Sequence, residues 1–319
     1  EALNEKKFDE EETDTIRAMS KNTIKAAVTG PDGATLSGFK GTGFVTVYDK
    51  ASEVTTLGNG SNEPFEYNEY ANVLFQGPAT VSDGIFETSF VVPRDIRYNY
   101  DNGRISYYAL SEDGKEASGA THQFVVGGIA QNTIKDEQGP ELEMYLNHKN
   151  FKAGDNTGPR PMLYANVFDE SGINTSGIGI GHNITLIIDG DASNPIVLND
   201  DFTAARDDFR QGTISYQLPR LEDGKHEITL KVWDNYNNSD TDTLNFRVND
   251  EHGIQLRKFK AWPNPVKAGD NVFITFETDS PNSLIDATIQ FIDASGRTTG
   301  VIEDELLSSG NQVGPYRLP

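Results

Sequence analysis

Gly224-Lys-His-Glu-Ile-Thr-Leu-Lys-Val-Trp233 runs into Asp234-Asn-Tyr-Asn-Asn238 and then into Ser239-Asp-Thr-Asp-Thr-Leu-Asn-Phe-Arg-Val248. Ile228, Leu230 and Val232, then Leu244, Phe246 and Val248, recur at every second position. A period of two puts one row of side chains on a core face and the other in water, which is the pattern of a half-buried strand. The Asp/Asn-rich segment between the two runs suits a chain reversal, so the whole stretch reads as a β-hairpin.

The same texture extends outward in both directions. Ile214-Ser-Tyr216-Gln-Leu218 and Val272-Phe-Ile274-Thr-Phe276 repeat the alternation, and Asp32-Gly33, Asp83-Gly84, Asp113-Gly114 and Asp223-Gly224 supply residues that tolerate positive φ at turns. Helical periodicity over ten or more residues is missing after about the twentieth position. The expected fold class is all-β, as tandem immunoglobulin-like β-sandwiches. Residues 1–20 are read as an acidic linker or frayed helix, because seven acids fall within the first 14 residues. Polar, turn-rich breaks at Gln131-Asn-Thr-Ile-Lys-Asp-Glu-Gln-Gly-Pro140 and Asn249-Asp-Glu-His-Gly253 divide the rest. The expected units are a β-sandwich over 21–130, an immunoglobulin-like sandwich over 135–250, and a shorter, incomplete sandwich over 254–319 that leaves a sheet edge unpaired.

Bulk properties narrow the function. The chain has 319 residues with 27 Lys+Arg against 49 Asp+Glu, a formal net charge of −22. Such a chain repels a phosphate backbone, so no nucleic-acid partner is expected. No strictly apolar run exceeds four residues (Tyr107 to Leu110, Met162 to Ala165), so no transmembrane segment is expected, and no signal-peptide pattern opens the chain. The chain therefore reads as a processed or excised piece. It holds no cysteine, which removes thiol nucleophiles, thiolate metal sites and disulfides, and the composition favours an exported protein.

Chemistry-bearing motifs are sparse. The five histidines, His122, His148, His182, His226 and His252, are too far apart for a local metal pair, and His226 is placed at a sheet rim. Gly177-Ile-Gly-Ile-Gly181 precedes an apolar strand, not a helix, and so reads as a connection and not a phosphate cradle. Calcium candidates are Asn199-Asp-Asp201 with Asp207-Asp208, and Asp234 to Asp240. The latter also has a hairpin to close, and neither carries EF-hand spacing. No catalytic, cofactor or metal residue is assigned. Paired acids for a glycosidase have no readable separation in so acidic a chain.

Resemblance adds what spacing does not. Val47-Tyr-Asp-Lys50, Thr55-Thr-Leu-Gly-Asn59, Phe90-Val-Val-Pro-Arg-Asp-Ile96, Gly103-Arg-Ile-Ser-Tyr-Tyr-Ala109 and Gly127-Gly128 stand in the first unit. Asp169-Glu-Ser-Gly-Ile-Asn174, Gly179-Ile-Gly-His182, Val197-Leu-Asn-Asp200 and Leu230-Lys-Val-Trp-Asp-Asn235 follow in the second. In order and spacing they resemble the PorU-type sortases of the type IX secretion system, a gingipain-like cysteine peptidase family (family C25) of the Bacteroidetes. Trp262-Pro-Asn-Pro265 and Asp293-Ala-Ser-Gly-Arg297 are similar to type IX sorting and hook-capping sandwiches.

The resemblance implies the non-catalytic part of a cell-surface, outer-membrane-associated sortase. Such sortases cleave sorting domains from secreted cargo and attach the cargo to lipopolysaccharide, with the catalytic Cys and His in an upstream peptidase domain. It also implies docking on a PorV-type outer-membrane barrel through the segment after Gly253, with Trp262, Asn264, Asp293, Gly296 and Arg297 as candidate docking residues. The alternative expectation is a secreted carbohydrate-binding or adhesin-like array, with Tyr98, Tyr100 and one of Tyr107 or Tyr108 as a stacking platform.

Overall fold

The structure is a computed structural model, and it describes residues 2–7, 14–59, 63–131, 133, 135–177, 179, 181–249, 256–267, 271–278, 284–292 and 298–318. The hairpin read first is present. Gly224–Trp233 pairs antiparallel with Ser239–Val248, from Gly224 opposite Val248 to Trp233 opposite Ser239. Ile228, Leu230, Val232, Phe246 and Val248 are all buried, so the period of two has become the inner face of a sheet.

Around this hairpin two sheets pack face to face. One has the order Glu141–Leu146, Met162–Phe168, Asp208–Gln217, Phe202–Ala205; the other runs Asn156–Thr157, Ser239–Val248, Gly224–Trp233, Thr185–Ile188, Ile196–Val197. Lettered by sequence, these are the A-B-E-D and A′-G-F-C-C′ sheets of an immunoglobulin sandwich. Leu146, Leu163, Ala165, Ile184, Leu186, Ile214, Ile228 and Leu230 fill the space between them. Each large aliphatic side chain buried there contributes roughly 1.5–3 kcal/mol against exposure.

A second core precedes it. Val73–Val81, Gly41–Tyr48, Arg104–Ser111 and Glu116–Thr121 form one sheet, faced by Lys21–Ala27 with Ile85–Val91. Ile24, Val45, Val47, Phe90, Ile105, Phe124 and Val126 pack between. At the hairpin ahead of Ile85, Asp83 and Gly84 take φ of 51° and 75°, the positive values for which the Asp-Gly pair was singled out.

The expectation for residues 1–20 is corrected. Ala2–Leu3 pairs with Lys25 and Ile24, and Thr15–Ala18 runs parallel to Val125–Ile129. Leu3, Ile16 and Ala18 belong to the first core. Asn4 Nδ2 donates to Asp14 Oδ2 and Asn22 Oδ1, both at 3.0 Å, which holds the segment on the sheet. Charge density misled because the few apolar residues pair with strands distant in sequence, and no local periodicity records that.

The last part is a five-stranded antiparallel sheet in the order Leu256–Trp262, Val272–Thr278, Gln312–Leu318, Thr298–Ser309, Leu284–Ile292. Among the described residues its core cluster is Phe276, Ile285, Leu306 and Val313, with Ala287 and Tyr316 packed against it; Ile274 and Leu318 are also buried. Among the described residues no helix is long and apolar enough to cross a membrane.

Candidate functional site

The loop Asp234–Asn238 gathers several buried polar side chains. Asp234 is 0% exposed. Its Oδ1 accepts the backbone N–H of Tyr236 (2.9 Å) and Asn238 (2.7 Å), and its Oδ2 accepts Asn238 Nδ2 at 2.7 Å. Asp234 thus closes the hairpin, the structural role expected for it. Two further acids converge on it from elsewhere in the chain. Asp169 is buried and accepts the Ser171 backbone N–H at 2.7 Å and its hydroxyl at 2.6 Å. Asp136 accepts the Gln138 N–H at 3.2 Å. One carboxylate oxygen from each of the three lies within 4.8 Å of the others.

Burial, reinforced by the charge of Asp169, pushes the Asp234 carboxyl up to about 6. Asp169 is also raised, by burial first and by Asp136 in addition. Chemically the cluster can share protons near neutrality, or offer hard oxygen ligands. Calcium takes six to eight oxygens, and three carboxylates supply part of that set. Only Asp234 among them lay in a segment named for calcium. Asp136 sits in the stretch read as a linker, and no spacing signal ties the three together. The other calcium candidate is not assembled. Asp207 accepts the Thr80 N–H and hydroxyl at 2.7 and 2.6 Å, Asp208 pairs with Arg210 at 2.9 Å, and Asn199 Oδ1 accepts the Ile184 N–H at 2.9 Å.

The same loop holds the first two cores together. Arg94 N–H donates to the Asn235 carbonyl (2.8 Å), and Asn235 Nδ2 donates to the carbonyls of Val91 (3.1 Å) and Ser171 (2.9 Å). Tyr236 OH donates to the Met19 carbonyl at 3.1 Å. Asp95, from the first unit, receives Asn237 Nδ2 at 2.8 Å and lies 2.5 Å from His182 Nδ1. The His182 ring packs 4.3 Å from the Trp233 ring, whose other contact is the Lys231 ammonium at 4.1 Å. Gly179 permits this approach, since a Cβ there would stand 2.2 Å from Asp95 Oδ2. Gly179 is therefore a closely packed point ahead of the strand Thr185–Ile188.

An Asp–His pair invites comparison with hydrolases, but the nearby hydroxyl of Ser176 donates to Asn174 Oδ1 at 2.7 Å. Other histidines serve structure. His226 bridges Asp189 Oδ2 (2.8 Å) and the Glu222 carbonyl (2.7 Å) at a sheet rim, as expected. Burial lowers its pKa, but the Glu222 carbonyl and the Asp189 carboxylate outweigh that and leave it raised. His122 packs on Tyr70 and His148 on Phe151; His252 lies outside the described residues.

Of the docking candidates, Trp262 is 40% exposed and stacks on Phe273 at 6.0 Å, and Asn264 is exposed beside it. Asp293, Gly296 and Arg297 lie outside the described residues. Tyr107 is buried and Tyr108 exposed, on opposite faces as the strand requires; Tyr98 and Tyr100 are also exposed.

No family model and no curated protein matches the chain. Among solved structures it is 31% identical to dimeric latent PorU of Porphyromonas gingivalis, over 99% of this chain and 30% of that one, with a TM-score of 0.49. Fibronectin(III)-like modules of Clostridium thermocellum CbhA match at 12% identity over 76% of this chain and 92% of theirs, TM-score 0.22. A tetra-tandem repeat from the extending region of a large adhesion protein matches at 12% identity over 93% and 72%, TM-score 0.22. The chain is similar along nearly its whole length to part of PorU, and spans about a third of that protein.

Proposed function

We propose that this chain is the non-catalytic scaffold and docking region of a cell-surface type IX secretion sortase. The observation that carries the reading is the 31% identity to PorU over 99% of the chain. Three features fit it. The chain holds no cysteine, so the nucleophile of such a peptidase would come from an upstream domain. The first two sandwiches are fastened by a buried polar joint, which suits a spacer that must hold its geometry. The last sheet exposes Trp262 and Phe259, apolar surface of the kind that partners cover.

In this reading the chain has no catalytic residue of its own. It stands at the outer membrane, docks on a PorV-type barrel through residues 254–319, and presents the upstream peptidase domain to the sorting domains of secreted cargo, which the whole sortase removes before attaching the cargo to lipopolysaccharide. The gene upstream of the codon for Glu1 tests it. A gingipain-like domain with a Cys and a His is expected there; a signal peptide directly before Glu1 would contradict the reading. In that event the adhesin or carbohydrate-binding alternative would gain, with Tyr98 and Tyr100 as its exposed aromatics.

A further inference from the structure

The outer face of the A-B-E-D sheet in the second sandwich differs from its counterpart across the core. The opposite sheet turns Lys225, Glu227, Lys231 and Arg247 outward among threonines, an ordinary solvated surface. The A-B-E-D face instead carries a groove of about 340 Å³ lined by Glu141, Glu143, Asn166, Phe168, Gln211 and Thr213. That size falls within the roughly 300–1,000 Å³ of small-molecule sites. Strand register orders the lining. Phe168 lies between Glu141 and Gln211, and in the next outward row Glu143, Asn166, Thr213 and Thr203 stand side by side across the four strands. In the row beyond, Tyr145 and Tyr164 lie opposite each other with ring centroids 5.6 Å apart. Aromatic rings thus bracket a polar row on one face. Tyr164 and Phe168, four residues apart on one strand, are separated by about 13 Å.

We infer that this groove binds a neutral oligosaccharide laid along the strand Met162–Phe168. A sugar ring presents apolar C–H faces and a rim of hydroxyls, so it needs aromatic surface for the first and hydrogen-bonding side chains for the second. Phe168 and the Tyr145–Tyr164 pair supply the aromatic surface. Arg210 sits over the Phe168 ring at 5.9 Å and is itself held by Asp208 at 2.9 Å, which fixes the ring. The polar row has capacity to spare. Asn166 Nδ2 donates to Glu143 Oε2 at 2.9 Å, which leaves the second Glu143 oxygen and the Asn166 carbonyl oxygen for a ligand. Among the described residues the side chains of Thr213 and Glu141 have no hydrogen-bond partner. A peptide strand would seek an unpaired sheet edge, whereas Met162–Phe168 and Asp208–Gln217 are paired on both sides and offer side chains alone. Charge narrows the ligand further, because Glu141 and Glu143, in a chain of net charge −22, repel an anionic glycan. The groove belongs to the second sandwich, not to Tyr98 and Tyr100 of the first unit, and does not depend on the sortase reading.

Titration calorimetry of the chain with cellohexaose, mannohexaose and chitohexaose tests the inference, with oligogalacturonate as the anionic probe. At least one neutral hexasaccharide should bind, and oligogalacturonate should bind roughly tenfold more weakly or not at all. Phe168→Ala removes one aromatic end and should weaken binding by about tenfold. Thr213→Trp, at an exposed position in the middle of the face, should abolish binding by filling the groove. An unchanged melting temperature of Thr213→Trp separates that loss from a folding defect. Failure of every neutral probe to bind, or equal affinity for oligogalacturonate, would overturn the inference. So would binding that survives both Phe168→Ala and Thr213→Trp, as it would if Tyr98 and Tyr100 held the sugar.

Discussion

The first two sandwiches and the last sheet are made from the same alternating strands, yet they are held in contrasting ways. Phe90, Ile105, Leu186 and Leu230 sit in cores of some twenty buried side chains each, and Asp95, Asn235, Tyr236 and Asp207 tie one core to the other. Among its described residues the last sheet has a core cluster of Phe276, Ile285, Leu306 and Val313 and leaves Leu256, Phe259, Ile292 and Leu307 exposed, while the first unit exposes Leu57 and Phe65. Burial makes a region rigid; apolar surface left outside makes it a place where a partner can add burial. In the proposed reading the first part gives support and the second gives contact.

The largest test of that contrast is a truncation in each core. Leu230→Ala, fully buried in the second core, should cost about 3–5 kcal/mol by thermal or denaturant unfolding. Leu306→Ala, in the sparse cluster of the last sheet, should cost about 2–3 kcal/mol, because neighbours there can relax into the space. Equal losses would remove the distinction.

The joint comes next. Asp95→Ala strips the acceptor from Asn237 and His182, and should destabilise the first two units by about 2–3 kcal/mol while leaving the last sheet unaffected. Gly179→Ala should act at the same place for a different reason, forcing Asp95 and His182 apart at a cost of about 1–3 kcal/mol. Hydrogen exchange resolved along the chain would show whether the loss is confined to the joint.

The smallest effect is pH dependence. Asp234 titrates at about 6 in the folded chain and near 3.8 when unfolded, so between those values the folded state binds the extra proton. Stability from this group is complete below the unfolded value and is lost as pH rises through about 6. The raised His226 acts in the same direction, its contribution being lost as pH rises through its folded value. The second sandwich should therefore melt higher at pH 5 than at pH 8, by on the order of 1–2 kcal/mol after allowance for relaxation around the cluster. Asp234→Asn should flatten most of the slope. A melting curve indifferent to pH would contradict the account of the buried acids.

Much of the fold was legible because its signal is local. The period of two at Ile228–Val232 and Leu244–Val248, and the Asp-Gly turn at Asp83–Gly84, each determine structure within a few residues of themselves. The site was not legible, for the opposite reason. Asp95 meets His182 across 87 positions, and Asp136, Asp169 and Asp234 come from three separate segments of the chain. Lys50 was equally hidden: it is buried against Asp49 at 2.7 Å, where a lysine in isolation would be placed in water. The short strand Thr15–Ala18 escaped because its partner, Val125–Ile129, lies more than a hundred residues away.

The most direct test of the whole account is binding of the chain to a purified PorV-type outer-membrane barrel, measured for the wild type, Asp95→Ala and Trp262→Ala. The account predicts binding that Asp95→Ala leaves intact and Trp262→Ala weakens roughly tenfold, a loss of about 1.4 kcal/mol at the exposed end of the last sheet. Absence of binding, or binding that survives Trp262→Ala and fails with Asp95→Ala, would contradict the division into support and contact.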